Sequence, residues 1–200
     1  MTTILLIRHA TNDTVGKTLA GRMPGVSLNE EGKAQAQKLA QRLSHLKLAA
    51  LYSSPMERAI ETIEPLANKL QLKPIINEDF LELNLGEWTG KTYKEMEQDK
   101  TFGLFNTYRS VTRIPGGEGM LEAQARMVAG LQKLYAKHEA ETVAVVSHAD
   151  MIKAAVTYYA GIHLDLFQRI EISPASVSIL QMFEETVRLT LINDTGEIKV

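Results

Sequence analysis

The residues with chemistry to offer fall at the ends of short apolar runs. Ile4-Leu5-Leu6-Ile7 stops at Arg8-His9, and Thr142-Val143-Ala144-Val145-Val146 stops at Ser147-His148. Arg58 follows Ser53-Ser54-Pro55-Met56-Glu57, a stretch rich in helix-start residues. An arginine supplies a fixed cation and a forked set of donors, and a histidine supplies a nucleophile, a base or a further donor. Taken singly, each of these residues reads equally well as a solvated strand end, and Arg58 as one half of a local pair with Glu61. Glu82 is flanked by Leu81, Leu83 and Leu85. Partial desolvation by such neighbours would raise its pKa toward the range of a general acid working near neutrality.

The elements that must position these residues alternate. Ile4–Ile7 reads as a strand buried on both faces, followed by a loop over 11–27 whose length is uncommon unless functional. A helix capped by Asn29 runs to about Leu46, with Ala36, Leu39, Ala40, Leu43 and Leu46 as its apolar stripe. A strand over Ala49–Tyr52 precedes a second helix, for which Ser54 reads as N-cap, Pro55 as first helical residue and Glu57 as the closing member of a capping box. Pro65 predicts a bend or break in that helix. Lys73–Ile76 reads as a strand and residues 92–114 as short helical pieces. A turn at Pro115–Gly119 leads into a helix from Met120 to about His138. Thr142–Val146 is a second buried strand, and its following helix is stopped by Gly161. Ser176–Phe183 and Val187–Ile192 read as an antiparallel hairpin.

Strands alternating with helices imply an α/β fold, a three-layer α/β/α sandwich with a mainly parallel sheet whose strand ends share one edge. Ligands bind along that edge in open α/β sheets. Arg8, His9, Arg58 and His148 therefore converge, and like charges gathered in one place require an anionic guest, such as a phosphate. Residues 1–200 read as one domain, with 84–118 as a covering insertion over the site.

Composition narrows the alternatives. A formal net charge of −2 without basic clusters argues against a nucleic-acid surface, and 44% apolar residues suffice for a substantial core. The chain has no cysteine, which excludes disulfides, thiolate metal sites and a cysteine nucleophile. No apolar run approaches a membrane span, and no signal-peptide pattern opens the chain, so a cytoplasmic location is expected. Pro115–Gly119 lacks the lysine and spacing of a nucleotide loop. His9, Asp13, His148 and Asp150 have the types a divalent metal takes, but adjacent arginines oppose that reading. His45, His138 and His163 are expected to be solvated, and the terminal hairpin offers an edge for a homodimer.

Four segments, Leu6–Ala10, Ser53–Thr62, Glu82–Gly90 and Val146–Ala149, together resemble the histidine phosphatase superfamily. The nearer branch is that of cofactor-dependent phosphoglycerate mutases and broad-specificity phosphatases. The resemblance spans nearly the whole chain in the right order. It implies a metal-independent, cofactor-free hydrolase of small phosphorylated metabolites, with a mutase-type phosphotransferase as the alternative, ahead of a metal-dependent hydrolase or a non-catalytic phosphate-binding module. By it His9 is the phosphorylated nucleophile, Arg8, Arg58 and His148 form the phosphate pocket with His148 as imidazolium, and Glu82 is the proton donor. The chain departs from the family pattern in three places, two of them at the site. The usual Arg-His-Gly reads Arg8-His9-Ala10, and the asparagine that often completes the pocket has no counterpart at Val15. Thr11 and Asn12 are the candidates to replace it, and Arg22 is a candidate substrate contact. Gly119 stands where a helix-capping serine is usual.

Overall fold

The computed structural model describes residues 1–196. Six strands form one sheet: β1 (Thr2–Arg8), β2 (Ala50–Ser53), β3 (Ile75–Ile76), β4 (Thr142–Ser147), β5 (Val177–Met182) and β6 (Val187–Asp194), in the order β3-β2-β4-β1-β5-β6. The first four are parallel, whereas β5 runs antiparallel to β1 and β6 antiparallel to β5. The expected hairpin is therefore the continuation of the main sheet. The strand expected over Lys73–Ile76 shortens to two residues, both exposed.

Side-chain alternation along the strands builds two cores. Ile4 and Leu6 of β1 with Val143 and Val145 of β4 face one side, where α5 (Met120–Lys137) and α6 (Ala149–Ala160) pack. Leu5, Ile7, Ala144 and Val146 face the other, against α1 (Glu30–Leu43) and α2 (Glu57–Leu70). This is the three-layer sandwich. β1 and β4 are buried on both faces because helices cover both, which is why their sequences are continuous apolar runs. Two short helices, α3 (Tyr93–Met96) and α4 (Lys100–Thr107), lie in the segment expected to cover the site.

Local expectations needed correction at four points. The cap of α2 is Met56, with no side-chain bond, and its helix begins at Glu57 rather than Pro55. Ser54 instead accepts the Met56 N–H at 3.3 Å and turns its hydroxyl to His148. α2 also runs through Pro65 unbroken, its buried face of Ile63, Leu66 and Ala67 outweighing the loss of one intrahelical bond. His138 is 7% exposed, not solvated, because its ring bridges Tyr52 Oη (2.8 Å) and Glu141 (2.7 Å). Finally, Glu122 reaches back to the Gly119 N–H, so half a capping box survives without a serine.

Among the described residues, no helix is long and apolar enough to cross a membrane.

Candidate active site

Strand order places the chemistry. β4 lies between β2 and β1, so the carboxyl ends of the three strands present Ser54, His148 and His9 in a row. The ladder continues one bond past each strand: His9 N–H donates to Ser147 O (2.9 Å) and Ser54 N–H to Val146 O (2.9 Å). The His9 and His148 rings meet edge to face with centroids 5.2 Å apart. Arg58, in the first turn of α2, is 2% exposed. It donates through Nη2 to Gly21 O (2.7 Å) and to His148 Nδ1 (3.2 Å). The local pairing with Glu61 does not form, since Glu61 accepts the Leu28 N–H instead.

The ring of His9 is oriented by its own backbone. Nδ1 lies 2.7 Å from Ala10 O, a contact only a protonated Nδ1 can make, so Nε2 keeps its lone pair. Ala10 is in turn held by Thr62, which accepts its N–H at 2.9 Å and donates to Arg58 O at 2.6 Å. Burial, together with the Arg58 charge, lowers the His9 pKa to about 3. Burial and Arg58 likewise hold His148 well below its ordinary value, so in this field it is neutral rather than imidazolium. Arg58 can only donate, so His148 Nδ1 accepts and Nε2–H points at Ser54 Oγ, 2.8 Å away.

Glu82 faces the same space. Its Oε2 is 3.6 Å from His148 Nδ1, and its side chain is 16% exposed. Desolvation and then the nearby Asp150 charge raise its pKa to about 7, against the pull of Arg58. The loop that carries it is braced from outside the pocket. Arg126 donates to the carbonyls of Asp79 (3.0 Å) and Leu81 (2.8 Å), and Arg22 to the carbonyl of Glu82 itself (2.8 Å). Both arginines close on Glu118 Oε2, at 3.1 and 2.9 Å. Burial opposes ionisation of Glu118, but the Asn84 N–H and these arginines hold its pKa below the ordinary value. Gly86 shows why the brace fits. Its φ is +47°, and a Cβ there would strike the backbone at Pro115 and Gly116.

Four of these residues, Arg8, His9, Arg58 and Glu82, line a cavity of about 270 Å³, small even for a metabolite site, whereas His148, expected in the phosphate pocket, is fully buried behind Arg58 and outside that lining. Arg8, His9, Arg58 and Glu82 form its floor. Four residues that line it carry a buried N–H group with no partner among the described residues: Arg58 at Nη1, Arg8 at Nε, Asn12 at Nδ2 and Arg109 at Nε. Asn12 lines the cavity, with Oδ1 fixed by the Thr14 N–H (3.0 Å) and hydroxyl (2.6 Å). Thr11 is not brought to the cavity, its N–H being bonded to Gln35. Arg22 is not brought there either, being spent on Glu82 and Glu118. Asp13, once a candidate metal ligand, is exposed and bonded to Asn29. Sequence reasoning missed Ser54, Thr62, Glu118 and Arg126. Ser54 was read as a helix cap, and the others act over long sequence separations.

The fold and these groups are those of a phosphate-handling α/β enzyme. The histidine phosphatase superfamily (branch 1) model matches residues 4–195, and the chain belongs to that family. Phosphoserine phosphatase 1 of Hydrogenobacter thermophilus is 29% identical over 200 residues, covering 98% of this chain and 93% of that one. Phosphoglycerate mutase-like protein 4 of Arabidopsis thaliana is 32% identical over 157 residues, 76% of this chain and 68% of its own. Among solved structures, YhfR of Bacillus stearothermophilus superposes with a TM-score of 0.92 at 29% identity over the whole of both chains.

Proposed function

We propose that the protein hydrolyses phosphomonoesters of small metabolites through a phosphohistidine on His9. One observation carries this reading. Unpartnered N–H groups of Arg58, Arg8 and Asn12 converge on a cavity whose floor holds a neutral imidazole and a carboxyl group with a pKa of about 7. Buried donors without acceptors are costly, and a phosphoryl group supplies acceptors for all of them.

The chemistry follows from the assigned protons. His9 Nε2 attacks phosphorus in line while Arg8, Arg58 and Asn12 hold the phosphoryl oxygens. Glu82, protonated near neutrality, gives its proton to the leaving alkoxide as the P–O bond breaks. The alcohol departs and water takes its place. Glu82, now a carboxylate, removes a proton from that water, which displaces His9 and leaves inorganic phosphate. His148 acts through Arg58: its Nδ1 accepts from Nη2 at 3.2 Å while Ser54 fixes the ring, which holds the guanidinium in place with Nη1 left for a phosphoryl oxygen. Every step uses groups of this chain and no metal.

The phosphatase relative spans nearly its full length with this chain, which favours hydrolysis over transfer between phosphoglycerates. A cytoplasmic setting suits a chain without cysteine, and the outer edge of β6 is where a second copy would pair. Rapid quenching with a radiolabelled monoester tests the central claim. Acid-labile, base-stable label is expected on the wild type and is absent from His9→Ala, whose turnover falls to background with the fold intact. Undiminished turnover by His9→Ala would refute the assignment.

A further inference from the structure

The wall of the cavity away from the floor is charged by α6. His148 is the N-cap of that helix, and Asp150 and Lys153, three residues apart, share one of its faces. Both line the cavity. Asp150 is already engaged, its Oδ2 lying 3.2 Å from Arg109 Nη1. Arg109 is immobilised in turn, stacked between the rings of Phe105 (4.6 Å) and Phe167 (4.4 Å) and bonded to Asn106 at 2.9 Å.

Lys153 differs from these neighbours. It is 8% exposed, its Nζ is 5.4 Å from the centroid of the Phe167 ring, and among the described residues no carboxylate or carbonyl accepts from it. Its Nζ is not among the buried polar atoms that lack a partner, so the ammonium reaches the solvent of the cavity beside the Phe167 ring and is open to an anion there. The Arg109–Asp150 pair cancels its own charge, so the wall presents one net positive charge toward the cavity. One unmatched cation suits a monoanion such as a carboxylate. Helix geometry sets the span. At about 1.5 Å rise per residue, the Lys153 Cα lies about 7.5 Å along α6 from His148. Helical side chains lean toward the N-terminus, which brings the ammonium back toward the floor.

Building on the phosphatase reading, we propose that Lys153 binds a carboxylate of the substrate, so that the preferred substrates are short phosphorylated acids carrying phosphate at one end and carboxylate at the other. The cavity volume of about 270 Å³ leaves space for a short carbon linker between the two groups. Phe102 and Phe105 line the same cavity and pack around that linker.

O-phosphoserine and O-phosphoethanolamine differ only in the carboxylate, and the ratio of their kcat/KM values isolates its recognition. The wild type is expected to favour phosphoserine, and Lys153→Met to reduce that ratio about tenfold to hundredfold, the worth of one charge-assisted bond. Lys153→Arg should retain most of the preference, which separates charge recognition from packing against Phe167. The same pair of ligands, titrated calorimetrically into His9→Ala protein, reads the subsite with no turnover. If neither ester is hydrolysed and no phosphohistidine forms, the phosphatase reading fails while the ratio of dissociation constants still decides the subsite. A wild-type ratio near one, or a ratio that Lys153→Met leaves unchanged, overturns the assignment. Should Lys153→Met not fold, the wild-type and Lys153→Arg ratios decide it alone.

Discussion

The Oγ of Ser54 lies 2.8 Å from Nε2 of His148. Because Arg58 donates to the opposite ring nitrogen at 3.2 Å, Ser54 must accept, and the pair fixes both the tautomer and the tilt of the imidazole. The serine is spent on this contact, so α2 is left without a side-chain cap. Ser54→Ala should therefore lower kcat about tenfold with little loss of fold. The ring-nitrogen shifts of labelled His148 should show a mixture of tautomers where the wild type shows one. An unchanged tautomer would mean that Arg58 alone orients the ring.

In the proposed mechanism Glu82 donates a proton only when the leaving group needs one. Glu82→Gln should slow an alkyl phosphate about 10²- to 10⁴-fold, the usual worth of a general acid. An activated aryl phosphate, whose leaving group departs as a stable anion, should be slowed far less. Equal slowing of both esters in parallel assays would point to another acid.

The pH profile follows from the same residue. As the proposed acid Glu82 works protonated, and its pKa is about 7, so kcat/KM for alkyl esters should fall as pH rises through 7. His9 works unprotonated and has a pKa of about 3, so no acid limb from it appears above that value. Stability carries the matching sign. A carboxyl whose folded pKa is raised from 4.5 to about 7 binds more protons folded than unfolded, so its contribution is lost as pH rises across that window. Glu82→Gln should abolish the basic limb and raise the thermal midpoint relative to wild type more at pH 8 than at pH 4.

Asn12 is the candidate that lines the cavity in place of the pocket amide that Val15 cannot supply. Its Oδ1 is committed to Thr14, which leaves Nδ2 without a partner on a residue that lines the cavity. Asn12→Ala should reduce kcat/KM about 10- to 100-fold by removing one donor. Asn12→Asp should be worse than alanine, because an acceptor-only anion repels the phosphoryl oxygens. If aspartate is the milder change, Asn12 does not meet the phosphate. Thr11→Val should matter little, since its bond to Gln35 uses the backbone N–H.

Legibility in the sequence tracked how local each cause is. β1 and β4 announced themselves as apolar runs because helices cover both of their faces, and the convergence of residues 8, 9, 58 and 148 followed from parallel strands alone. Gly161 at the end of α6 and Asn29 at the start of α1 acted as their types dictate. Ser54 misled because a local capping rule met a tertiary demand from His148, and the tertiary demand won. His138 misled because its two partners, Tyr52 and Glu141, cannot be assembled before the sheet is. Arg22 lies in a loop whose path no periodicity records, so its partner Glu118, 96 residues away, was out of reach.

That distant pair supports the last prediction. Arg126 spans the carbonyls of Asp79 and Leu81 and ends on Glu118, while Arg22 ties Glu118 to the carbonyl of Glu82. Together they fix the backbone of the acid from behind without touching its carboxyl. Arg126→Ala removes several carbonyl partners and leaves Glu118 with one cation, so stability should fall by about 2–3 kcal/mol. The acid should also lose its register, and a displacement of about 1 Å costs about 10²-fold in rate. Alkyl esters should bear that loss and activated aryl esters should not, the same asymmetry expected of Glu82→Gln. A double variant tests the link: if Arg126 acts through Glu82, Arg126→Ala added to Glu82→Gln should slow alkyl esters little further, whereas multiplying losses would place Arg126 in a separate role.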